Sequence, residues 1–209
     1  MAGLDSSLIF LGVVALISIS GVIMPGPVFA ATVAKGYSDP MAGVKIALGH
    51  VVVEIPLIVA IFLGLAYIFQ DSAVFAAIGI TGGTFLAYMG YSMIRTRKEI
   101  IVSEEGSRYG AFMAGIITTV SNPYFFLWWA TVGAALIATA LEFGLMILPF
   151  FILVHISCDF LWEHLVSFSI YRTRGFWSQG HHHLLFMLAG AIMLVFGIYF
   201  VSSSIIELI

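Results

Sequence analysis

His50 and Glu54 stand four residues apart, and so do His155 and Asp159. On a helix that spacing puts imidazole and carboxylate on one face, one turn from each other. Together the pairs offer two nitrogens and two carboxylates. Such a set can carry protons, hold a polar solute, or bind a divalent ion such as zinc, nickel or cobalt. Glu163 continues the second pair by a further turn, with Trp162 alongside and His164 turned away. The plain alternative is that these groups only pair with one another and fix helix packing.

The surrounding sequence gives the pairs their weight. Of 209 residues, 61% are hydrophobic and 9% charged, where a soluble chain carries about 25% charge. This composition points to an integral membrane protein and says nothing for nucleic acid as a partner. An acid at the centre of a spanning helix costs ~2.5–3.5 kcal/mol, so Glu54 and Asp159 are functional candidates by position. The single cysteine, Cys158, excludes an internal disulfide and a Cys-rich metal cluster within one chain. Its expected role is helix packing. The N-terminal run MAGLDSSLIFLGVV lacks a basic n-region and reads as a retained transmembrane helix. Neither GxxxxGK[ST] nor HExxH occurs, so nothing suggests an ATP site or a zincin-like protease.

A span needs ~20 mostly apolar residues. Six segments qualify, at about 7–34, 42–69, 73–94, 110–140, 143–170 and 183–206. All eight Lys and Arg then fall on one side: Lys35, Lys45, Arg95, Arg97, Lys98, Arg108, Arg172 and Arg174. Asp5, Asp71, Glu142 and Glu207 mark the other. The positive-inside rule makes the basic loops cytoplasmic and puts both termini outside the cell (inner) membrane.

The two halves echo each other. GTFLAYMGYS from Gly83 parallels GAIMLVFGIY from Gly190, and HVVVE from His50 parallels HISCD from His155. GVIMPGP from Gly21 and GIITTVSNP from Gly115 both run an apolar stretch into a proline. Three spans per half force opposite orientations. The expected architecture is an all-α membrane protein of six transmembrane helices, a 3+3 inverted-topology repeat with broken first and fourth helices. Residues 1–98 form the first unit, 99–108 a cytoplasmic linker, and 109–209 the second. The uncharged runs Ser6–Ala34 and Tyr109–Leu141 exceed one span, and each proline break is expected near the centre. Breaks of this kind free backbone groups to bind solute or ions. Pro25, Gly26 and Pro27 in the first break, and Asn122 and Pro123 in the second, therefore join the candidate site. Gly79 and Gly83 form a GxxxG, a face that could support a homodimer. His181, His182 and His183 read as a solvated cluster at the mouth of the last span.

The PGP of the first span, GGTFLAYMGYSMIR in the third, SNPYFFLWWA in the fourth and DFLWEH in the fifth resemble the LysE/RhtB-type amino-acid exporters. The similarity covers essentially the whole chain. It implies a six-helix secondary exporter, driven by a proton or cation gradient, that moves amino acids or similar small metabolites outward. By the same resemblance, Pro25, Gly26 and Pro27 match the first-span motif, and Asn122 and Pro123 the fourth-span motif. Asp159 and Trp162 fall in its polar fifth-span patch. The paired His50/Glu54 and His155/Asp159 depart from the pattern.

The leading expectation is thus a transporter and not an enzyme, with no cofactor. Its partners are a small solute, a coupling proton or cation, and the lipid bilayer. The binding residues are those named above, with Glu54 and Asp159 as coupling or solute-binding carboxylates. A divalent-metal transporter using His50, Glu54, His155 and Asp159 is the alternative. A membrane-embedded metalloenzyme on the same ligands is a remote third.

Overall fold

The computed structural model describes residues 2–23, 26–96, 110–176 and 178–207, and these are helical throughout apart from turns. The helices are α1 (Ala2–Val22), α2 (Pro27–Gly36), α3 (Ala42–Phe62), α4 (Ser72–Thr96), α5 (Ala111–Val120), α6 (Pro123–Trp128), α7 (Ala134–Glu142), α8 (Leu148–Thr173) and α9 (Gln179–Glu207). The linker 99–108, Pro25, and Arg97, Lys98 and Arg108 lie outside the described residues.

Five helical stretches are long and apolar enough to cross a membrane, and α1 with α2, bent by 74°, makes a sixth. Large apolar side chains such as Leu16, Leu161 and Met146 remain exposed. In water these would be a liability; against lipid they need no cover.

Both expected breaks are present, and each has a local cause. Gly26 is extended and Pro27 occupies the first helical position of α2. Asn122 caps α6, its side-chain oxygen accepting from the Tyr124 N–H at 3.1 Å, and Pro123 takes the first position. Proline there loses no helix bond and has its φ already set. Neither break is central, however. The first leaves 21 residues before it and 10 after; the second leaves 10 before it. The second also splits the expected 110–140 span: Pro123–Glu142 is long enough to cross, while α5, about 15 Å long, is not. Both short pieces, α2 and α5, adjoin the end of the bundle that carries Lys35 and Lys45.

Glycines set the helix contacts. A Cβ on Gly43 would lie 1.9 Å from Glu163 O, which seats α3 against α8. Gly49 and Gly115 do the same between α3 and α5, with Cβ positions 2.1 Å from Phe112 O and 2.2 Å from Ile46 O. α4 and α9 meet along Gly79, Gly83 and Gly90 against Ser204, Gly197 and Gly190. The GxxxG pair is therefore covered by α9 of the same chain.

Polar contacts tie the basic end. Lys45 Nζ is 2.6 Å from Asp39 Oδ2. Partial burial raises the Asp39 carboxyl, but hydrogen bonds from Lys45 and the Met41 N–H outweigh it and hold the group below its ordinary value. Arg174 stacks 3.9 Å from the Tyr171 ring centroid and donates to Tyr37 O, joining the end of α8 to the α2–α3 turn.

Candidate functional site

The inward face of α8 is a polar row. Its buried residues are Phe151, His155, Asp159, Glu163 and Ser167, each four residues from the last. From His155 to Ser167 the row runs about 18 Å along the helix. Ser167 ends it by donating to Pro40 O at 2.9 Å. Gly36 packs against Ser167, and one turn back buried Thr32 faces Glu163, so α2 and α8 run the same way.

Glu54 of α3 meets this row and is 1% exposed. Its Oε1 lies 3.2 Å from His50 Nε2, 3.1 Å from His155 Nε2 and 3.2 Å from Trp129 Nε1. Asp159 Oδ2 stands 3.7 Å from His155 Nε2, beyond hydrogen-bond range. The rings are held from behind: His50 Nδ1 is 2.8 Å from Thr119 Oγ1, and His155 Nδ1 is 2.7 Å from Ser18 Oγ. Phe125 meets the His50 ring edge-on, and Trp128 and Trp129 cover His155.

Counting protons in this network gives a constraint. Thr119 Oγ1 donates to Gly115 O at 2.7 Å. A hydroxyl has one proton, so the contact with His50 is made by an Nδ1–H of the ring. A neutral ring then presents a bare Nε2 to Glu54 Oε1, and both atoms are acceptors. At 3.2 Å they repel unless a proton or another cation lies between them. His155 is under no such constraint, because Ser18 can donate to its Nδ1 and leave Nε2–H for Glu54.

Trp129 reaches Glu54 because of a local widening of the helix. Residues Trp129–Gly133 form a π turn between α6 and α7, a feature common at functional sites. A Cβ on Gly133 would sit 2.2 Å from Trp129 Cε3, so the indole lies flat only over glycine. Gly133→Ala is expected to push the indole off Glu54 at a cost of about 1–3 kcal/mol. A lowered melting temperature in detergent and red-shifted tryptophan emission would register this.

The structure thus gathers His50, Glu54, His155 and Asp159 at one place. Thr119 before the second break and Phe125 after it both touch His50, and Asn122 and Pro123 lie between them in the chain. Ser18 lies on α1 before the first break; Pro27 is buried just after it. The Trp162 Nε1 is buried without a hydrogen-bond partner, as are Glu163 Oε2 and His164 Nδ1. His181 caps the start of α9 through Ser178, with Ser178 Oγ 2.8 Å from its Nδ1, far along the chain from the cluster. Ser18, Thr119 and Trp129 escape the sequence reading. Ser18 and Thr119 are unremarkable in an apolar run, and Trp129 points inward only through the π turn.

A family model of the LysE type translocator matches residues 19–204. Comparison with curated proteins and with solved structures returns no match. The matched stretch contains both helix breaks, the polar row of α8 and the His50, Trp129 and His155 nitrogens around Glu54, and on that evidence the chain belongs to the LysE type translocator family, membrane transporters and not enzymes.

Proposed function

We propose that this translocator exports small solutes of amino-acid type across the cell (inner) membrane, driven by a proton or cation gradient. Glu54 and Asp159 act as its coupling or solute-binding carboxylates. The observation that carries the reading is the buried Glu54 Oε1, approached by nitrogens of His50, His155 and Trp129. A change of charge at that one oxygen acts at once on α3, α8 and the π turn. Alternating access needs such a coupling between helices.

In this reading the two three-helix units, 1–98 and 109–209, form an inverted repeat with both termini outside. The contacts α3 on α8 and α4 on α9 support it, since each joins elements of corresponding place. The off-centre breaks are the point where the halves diverge. In a Cys158→Ala background, Glu142→Cys is expected to react with an impermeant thiol reagent from the outer face; labelling only from the cytoplasm would reverse the orientation.

Function is tested by counterflow in proteoliposomes across a panel of amino acids, with and without a pH gradient. Exchange of at least one amino acid, stimulated by the gradient, is expected. Exchange of cobalt or cadmium with no amino acid moving would overturn the assignment.

A further inference from the structure

We propose that His50, Glu54 and Asp159 form a binding site for one divalent first-row transition-metal ion, with zinc as the reference. One ligand atom from each of these residues lies within 4.8 Å of the others. Glu54 and Asp159 are almost fully buried, at 1% and 6% exposure. Glu54 Oε2 and Asp159 Oδ2 are buried with no hydrogen-bond partner. Orphaned carboxylate oxygens at this depth are costly unless a positive partner arrives. The sequence has no lysine or arginine between Lys45 and Arg95 or between Arg108 and Arg172, so α5, α6, α7, α3 beyond Lys45 and α8 before Arg172 bring none.

His50 adds the decisive geometry. Thr119 takes its Nδ1–H, which aims the Nε2 lone pair at Glu54 Oε1, 3.2 Å away. Two ligands at ~2.0–2.2 Å from a tetrahedral ion lie about 3.3–3.6 Å apart. A metal between them satisfies both acceptors, as a proton does. An imidazole whose far nitrogen donates to an oxygen is the usual arrangement behind a metal-ligating histidine. His155 and Trp129 hold the same Glu54 oxygen. Mixed nitrogen and oxygen ligands favour zinc, cobalt, nickel or manganese over magnesium or calcium. Three protein ligands leave a position open, so the ion can be exchanged and a solute carboxylate or water can complete the shell.

The site shares its residues with the transport reading, but does not rest on it, and binding is measured on purified protein without a gradient. Full-length protein in detergent, stripped with a chelator, is titrated calorimetrically with zinc and with cobalt. About one ion per chain is expected, with protons released as the metal displaces them. Thr119→Val, which leaves the three ligands in place, is expected to weaken binding about 10–100-fold. His181→Ala, at an exposed position, is expected to leave it unchanged. X-ray absorption of the zinc-loaded native protein guards against misfolded variants: it should show imidazole scattering and a nitrogen/oxygen shell at ~2.0–2.2 Å. No binding by native protein, a fully hydrated ion in the spectrum, or binding lost in His181→Ala but kept in Thr119→Val would each overturn the site. Counterflow of amino acids in metal-free vesicles is a separate result, so either proposal can fail alone.

Discussion

Glu54→Gln is expected to stop solute exchange while the protein still folds. The amide oxygen can still accept from Trp129 and His155, so the packing around position 54 survives. The negative charge does not, and neither does the means of holding a cation against His50. Losing one partner of a buried charge pair weakens binding by about 2–5 kcal/mol, so exchange is expected to fall about 100-fold or more. Counterflow and melting temperature should be read together. Glu54→Ala, by contrast, leaves the nitrogens of His50, His155 and Trp129 without their acceptor. It is expected to lose stability by about 3–5 kcal/mol as well as activity. Exchange by Glu54→Gln at the native rate would remove Glu54 from the mechanism.

The second large effect is expected at Gly43, a position with no chemistry of its own. A Cβ there would stand 1.9 Å from Glu163 O and 2.2 Å from Glu163 C. These are backbone atoms, so no side chain can turn aside. α3 and α8 would have to separate, which moves Glu54 away from His155 and Asp159 together. Gly43→Ala is expected to cost about 3 kcal/mol or more, at the upper end of overpacking effects. Gly12→Ala in α1 is the control: nothing lies within 4 Å of its Cβ, and the change is expected to stay within about 1 kcal/mol. Equal melting temperatures for the two variants would contradict the α3–α8 contact.

The His50/Glu54 and His155/Asp159 pairs were legible because a four-residue spacing is a helical neighbour relation, whatever surrounds it. That His50 and His155, on different helices, share Glu54 Oε1 was not legible. The distance depends on how closely α3 and α8 approach, and Gly43 sets that approach. Gly79 and Gly83 illustrate the limit from the other side. Their spacing announces a close helix contact but not with which helix, and the partner is α9 of the same chain.

By itself, the sequence determined the membrane class, because 61% hydrophobic residues with 9% charge leave no soluble fold to build. It also determined where the helices break, because Gly26–Pro27 and Asn122–Pro123 are local backbone preferences that need no distant partner. Only the tertiary structure decided how the long runs divide at those breaks. It also decided which hydroxyls and which indole complete the polar cluster. Ser18, Thr119 and Trp129 acquire a role only when α1, α5 and the π turn are set against α3 and α8. A hydrogen bond across more than sixty residues of sequence depends on that packing and leaves no periodic mark in the chain.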